Sequence, residues 1–126
     1  MKIVVEITRE PLRARGVTTA ESASGAVVEF AGVVRGEEDG APIAALDYEA
    51  YGPMACSEME RLAQELSTEY PCHRMEVAHR IGRVPAGEAS ILVRIEAKHR
   101  AEAFGMLSAF MDRLKRDVPI WKKISP

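Results

Sequence analysis

The chain is short of several features that would declare a function class. It carries two cysteines in 126 residues, Cys56 and Cys72, far apart and outside any C-x-x-C pattern. Neither a zinc site nor a redox dithiol follows from that arrangement, and a disulfide-stapled scaffold is excluded. Charge of one sign is also lacking: 17 Lys and Arg stand against 19 Asp and Glu, a formal net charge of -2. A broad surface for nucleic acid or for an anionic membrane is excluded, so any anion site must be local. Aromatic residues make up only 6% of the chain and do not interleave with a basic stripe, which removes the pattern of a single-strand binder. No apolar run approaches the roughly 20 residues of a membrane span. The opening MKIVVEITRE has neither the apolar core nor the small-residue cleavage site of a secretory signal, and a reducing cytoplasm is the expected home. His73 and His79 lack metal-ligand spacing, and no Lys-Ser or Lys-Thr follows Gly82 or Gly87, so neither a metal site nor a phosphate loop is expected. There is no internal repeat and no low-complexity segment.

What is present belongs to a soluble globular fold. Hydrophobic residues make up 47% and charged residues 29%, over a length that suits one domain, residues 1–126. Residues 2 to 8 read as a strand rich in Ile and Val, and Glu10 to Ser24 as a loop with a short helical turn. The β-branched run from Gly25 to Val34 reads as a central strand feeding the polar loop RGEEDG. IAALDYEAY, after Pro42, reads as a strand placed to form a hairpin with it, broken by Gly52 and Pro53. From Met54 to Tyr70 the apolar residues Ala55, Met59, Leu62, Ala63, Leu66 and Tyr70 recur at helical spacing, and Pro71 ends the helix. Two further strands, 73 to 84 and 88 to 97, flank PAGE, whose Pro and Gly suit a tight hairpin turn. A second helix runs from about His99 to Asp117 on an inner stripe of Ala103, Phe104, Leu107, Phe110, Met111 and Leu114, and Pro119 stops it before an extended tail. The order of elements implies an α+β domain.

Three places could hold an anion. In RLKRDVPIWKK the cations Arg113, Lys115, Arg116, Lys122 and Lys123 crowd together in an otherwise acidic chain. The structural alternative is a solvated helix end that complements the macrodipole, with Trp121 as a core anchor. Lys98, His99 and Arg100 stand where the second helix starts, beside free backbone N–H groups. Arg35 lies between Gly32 and Gly36 in the loop after the central strand, where the backbone can approach a ligand closely.

GAVVEFAGVVRG, LDYEAYGPMA, HRIGRVPAGEASI, KHRAEAF and MDRLKRDVPIWKK, in this order from Gly25 to Lys123, closely resemble the MoaE family, the large subunit of molybdopterin synthase. The resemblance implies a hammerhead-type mixed fold with a mostly antiparallel sheet and two main helices. It also implies a homodimer that binds two copies of a small ubiquitin-like subunit, a heterotetramer in all. The C-terminal Gly-Gly of that small subunit carries a thiocarboxylate, so the large subunit needs no catalytic cysteine, metal or cofactor. The implied substrate is cyclic pyranopterin monophosphate, which receives the sulfurs of the molybdopterin dithiolene. By the same resemblance Lys115 and Lys122 are the catalytic lysines. Val33, Val34, Arg35, His99, Arg100, Lys123 and Ile124 are the substrate-binding positions, and Phe30 and Met111 line the pocket. Two departures from the family stand out: Ile124 occupies a position where members commonly keep a polar or acidic residue, and the sequence ends at Pro126 where many relatives continue. Arg9 to Ser24 matches only loosely, and no functional residue is assigned there.

A geometric expectation follows. Arg100 and Lys115 are fifteen residues apart on one helix, about 22 Å at 1.5 Å per residue. One small substrate cannot touch both within one chain, so a shared site requires the helix start of a second subunit. Two other readings stay open at this point: a catalytically impaired scaffold of the same family, and an α+β regulatory module that binds a phosphate ligand.

Overall fold

The structure, a computed structural model, describes residues 1–125. Its larger sheet has the strand order β1 (Lys2–Thr8), β6 (Arg74–Arg80), β8 (Ala89–Ala97), β2 (Ala26–Val33). β1 runs parallel to β6, and the other pairs are antiparallel. A smaller antiparallel sheet has β5 (Ala45–Ala50) between β7 (Gly82–Pro85) and β9 (Ile120–Ser125). β3 (Glu37–Glu38) and β4 (Ala41–Pro42) form a minimal hairpin. Helices α1 (Gly52–Leu66) and α2 (Arg100–Asp117) pack on each other and on the larger sheet. This is the α+β arrangement expected, mostly antiparallel with two main helices.

Alternation along the strands builds the core. Met75 and Val77 of β6 and Ile91, Val93 and Ile95 of β8 point one way and are buried against Met59, Leu62, Met106 and Phe110 of the helices. At ~25 cal/mol per Å² of apolar surface, each of these fully buried side chains contributes about 1.5–3 kcal/mol. A smaller cluster of Val34, Leu46 and Val84 joins the second sheet to the loop after β2.

Several expectations need correction. The run from Gly25 is an edge strand, not a central one: among the described residues β2 pairs only with β8, so its residues are only partly buried. β5 forms no hairpin with it, because the β3–β4 hairpin carries the chain over to the second sheet. Gly52 and Pro53 form the first turn of α1 and do not precede it, since proline's missing N–H costs nothing there. α1 stops at Leu66, short of Tyr70. PAGE does turn the chain, with Gly87 at φ 90°, yet it joins no hairpin. Gly82, at φ 84°, has already sent β7 to the second sheet, leaving β6 to pair with β8. Phe104 is 56% exposed and Met106 takes the inner position instead. Between Glu10 and Ser24 the only turn is closed by the Ser24 N–H and the Glu21 carbonyl, with no helical turn.

That segment is held by charge. Arg94, 6% exposed, donates to the carbonyl oxygens of Gly16 and Thr18 and to Glu29 at 2.8 Å and Glu96 at 3.3 Å. The Thr19 hydroxyl donates to Glu96 as well. A buried, fully engaged guanidinium thus pins an irregular loop across the outer face of the sheet.

Candidate functional site

At one end of the larger sheet, on the side of the helices, a cavity of about 600 Å³ opens between the two sheets and the last turns of α2. β2 and the loop beyond it supply Phe30, Val33, Val34 and Arg35. A β-bulge between Gly32 and Val33 breaks the ladder with β8 here and re-aims the chain. A Cβ at Gly32 would come within 2.7 Å of the Ile91 side chain, so any larger residue there would have to displace it. α2 supplies Met111, Leu114 and Lys115, and β9 supplies Ile120, Trp121 and Lys122. Leu46 and Tyr48 of β5 and His79 of β6 complete the inner wall.

The reversal that joins α2 to β9 is local chemistry. Pro119 disfavours the α conformation for its predecessor, and Val118 is extended at φ -95° and ψ 133°. The chain then runs back as β9, with Lys122 opposite Tyr48 of β5. Lys115 and Lys122 reach one cavity from a helix and a strand.

The basic C-terminal stretch divides in two. Arg113 pairs with Glu65 and Asp117, and Arg116 with Asp117, so both serve the helix surface. Hydrogen bonding from Arg116 holds the Asp117 carboxyl below its usual range, and Arg113 adds to it. Lys115 and Lys122 form no ion pair among the described residues, and both are exposed at the cavity. Arg35 has Glu38 at 4.0 Å but is 77% exposed, a pairing of little weight. Two lysines without an ion pair among the described residues and one weakly paired arginine favour an anion at this cavity. Trp121 is no core anchor: it is 59% exposed at the cavity's edge.

Seven of the eleven residues named from the sequence therefore line this cavity: Phe30, Val33, Val34, Arg35, Met111, Lys115 and Lys122. Four do not. His99 is the extended residue before α2 and Arg100 its first residue, so both stand at the far end of the helix from Lys115, exposed. Lys123 lies opposite Asp47 and Ile124 opposite Leu46, further along β9 and outside the lining. Further residues of the lining, among them His79, Tyr48 and Glu38, were not singled out by sequence. His79 had a legible signal, a polar residue at an inward position of the series Met75, Val77, His79. No group of three or more His, Cys, Asp or Glu among the described residues is placed to hold a metal ion. Among the same residues no helix is long and apolar enough to cross a membrane.

Residues 7–117 match the family described as MoaE protein. The chain belongs to the MoaE protein family. It is similar to the molybdopterin synthase catalytic subunit of Nostoc, 43% identical over 104 residues, which are 82% of this chain and 63% of that relative. The chain spans between about half and two thirds of the length of several curated relatives, 52% and 63% in two of them. Its fold is similar to that of a molybdopterin synthase crystal structure from Staphylococcus aureus, with a TM-score of 0.84 and 32% identity over 98% of this chain and 89% of that one. It is also similar to a chain in a complex of subunits 1 and 2 of molybdopterin-converting factor from Helicobacter pylori. There the TM-score is 0.68 and the identity 27%, over 81% of this chain and 66% of that one.

Proposed function

We propose that this MoaE protein is the catalytic subunit of a molybdopterin synthase, a sulfurtransferase. It moves sulfur from the C-terminal Gly-Gly thiocarboxylate of a small ubiquitin-like subunit to cyclic pyranopterin monophosphate, forming the dithiolene. The observation that carries the reading is the convergence of Lys115, Lys122 and Arg35 on one cavity. The names of the similar proteins, and the two-subunit Helicobacter pylori complex, support it.

The physical logic is the meeting of two anions. A cyclic phosphate and a thiocarboxylate repel, and cations fixed beforehand in a cavity offset that repulsion without reorganising during the reaction. Lys115 stabilises charge on the acyl carbon's oxygen as sulfur leaves it, and Lys122 supports it from the opposite strand. Arg35 grips phosphate oxygens through its planar fork. The sulfur arrives on the partner, so no thiol of this chain takes part. Burial pushes the Cys72 thiol up to about 11, with Glu102 adding to the effect, which makes Cys72 a poor nucleophile.

His99 and Arg100 enter the site from a second copy of the chain. Their separation from Lys115 along α2, about 22 Å at 1.5 Å per residue, places them outside any one ligand's reach in the same chain. A homodimer with two composite sites, each dimer carrying two small subunits, satisfies the distance.

The test is conversion of cyclic pyranopterin monophosphate by the purified protein and a thiocarboxylated small subunit. Appearance of the dithiolene product, lost in Lys115→Ala, supports the reading. Binding of the small subunit with no product from the wild type replaces it with a scaffold role.

A further inference from the structure

The cations of the cavity can only donate hydrogen bonds, yet its inner wall carries a group of opposite character. His79 is 5% exposed and lines the cavity. Its ring meets Tyr48 edge-on, with centroids 5.2 Å apart and planes at 63°. Nδ1 lies 2.8 Å from the Arg80 carbonyl oxygen, which can only accept, so Nδ1 carries the hydrogen. Burial holds this imidazole below its ordinary pKa, with the Arg80 carbonyl opposing less strongly, and the ring is neutral near pH 7.

Nε2 is then a bare lone pair. It makes no hydrogen bond to a described residue, and it differs from Arg80 Nε and Glu102 Oε2, which are sealed in without partners. None of the polar side chains lining the cavity, Tyr48 and Glu38 included, hydrogen-bonds it. Arg35, Lys115 and Lys122 are exposed at the opening, and the Ser90 hydroxyl donates to the Gly32 carbonyl at 3.4 Å. Phe30, Leu46 and Ile91 make the surroundings apolar. An acceptor in an apolar recess facing a cationic opening is complementary to a ligand with a donor at one end and an anion at the other.

We propose that His79 is a specificity-determining residue whose Nε2 accepts a hydrogen bond from a ring N–H or amino group of the bound heterocycle. The heterocycle is thereby fixed inward and the phosphate outward, among the cations. This assignment rests on the reading of the cavity as the site for a pterin phosphate, and it goes further by giving the ligand a direction. A ring that offers no donor at that end leaves Nε2 buried and unpaired, the kind of penalty that lets a polar recess reject an analogue.

The experiment is equilibrium binding of cyclic pyranopterin monophosphate, and separately of inorganic phosphate, to the wild-type protein, His79→Phe and His79→Gln. The expected result is roughly tenfold weaker pterin binding in His79→Phe, the worth of one neutral hydrogen bond, with phosphate binding unchanged. His79→Gln, whose side-chain carbonyl can accept, restores most of the loss. If His79→Phe binds the pterin ligand as the wild type does, or if His79→Gln is folded and no better than His79→Phe, the assignment is overturned. A wild-type protein that binds phosphate but no pterin ligand overturns the reading of the site as well, so the two failures are distinguishable. Should His79→Phe not fold, the wild type still decides by nitrogen-15 NMR. The Nε2 resonance of His79 moves upfield on addition of the ligand, and an unmoved resonance overturns the proposal.

Discussion

Lys115 and Lys122 line one cavity from a helix and from a strand, although a chain reversal at Val118 and Pro119 lies between them. The reversal, not their spacing in sequence, makes them neighbours. The proposed chemistry depends on both, and so do the first expectations.

Alanine at Lys115 removes the charge proposed to act on the reacting carbonyl. Its loss is expected to lower kcat by about 10²–10³-fold, the usual cost of deleting one preorganised donor. Because the side chain is exposed and unpaired among the described residues, the melting temperature should stay at the wild-type value. A large drop in melting temperature alongside the loss of activity would show a structural role instead. Lys122→Ala, assayed the same way, should show a smaller loss of kcat.

If sites are shared between copies, inactive variants can rescue each other. Arg100→Ala and Lys115→Ala homodimers are each expected to be inactive. After unfolding and refolding of an equal mixture, half of the dimers are mixed and each of these holds one intact site, so roughly one quarter of wild-type activity returns. Absence of recovery would place Arg100 and Lys115 in separate functions.

Arg94 should be among the most stability-sensitive positions. Its truncation to Ala leaves Glu96, 3% exposed, without its charged partner and frees the carbonyls of Gly16 and Thr18. Breaking a buried pair in this way costs about 3–5 kcal/mol. Thermal unfolding measures the loss, and limited proteolysis should cut first within residues 9–24. A melting curve like that of the wild type would show that the network contributes nothing net.

The same network sets an acid limit. Burial would raise the Glu96 carboxyl, but hydrogen bonds from Thr19 and Arg94 outweigh it and hold the group below its ordinary 4.5. A depressed folded value means that the contribution is complete above the unfolded value and is lost as pH falls through the folded one. Stability should therefore be flat in this respect above about pH 5 and decline below it. Replacing Glu96 with Gln should flatten that acid limb in a series of melting curves.

Thiol labelling separates the two cysteines. Burial raises both thiols, but Cys72 is 8% exposed and pushed up to about 11, whereas Cys56 on α1 is only half-buried. Iodoacetamide on the native protein should modify Cys56 first, with Cys72 labelled only after unfolding, as read by mass spectrometry.

Much of this was legible in one dimension. The two helices were readable because their buried faces repeat at 3.6 residues and prolines punctuate them, and the strands of the larger sheet because Val and Ile crowd into short runs. The lysines and Arg35 were legible as cations in an unusual local context. The edge position of β2 was not, because β-branched residues fill edge and central strands alike and pairing is a long-range choice. Nor was the crossing of β7 to the second sheet, which turns on a positive φ at Gly82 that sequence allows but does not require.

Sequence by itself determined which residues are chemically able to act: which side chains carry fixed charge, which faces must be buried, and where the chain must stop and turn. These are properties of single residues and of their near neighbours. Tertiary structure alone decided which of them meet. It put Lys115, Lys122, Arg35 and His79 around one cavity, committed Arg113 and Arg116 to pairs elsewhere, and left His99 and Arg100 at the far end of α2. The reason is geometric: a helix separates its ends by 1.5 Å per residue, while a sheet brings together strands that lie far apart in the chain.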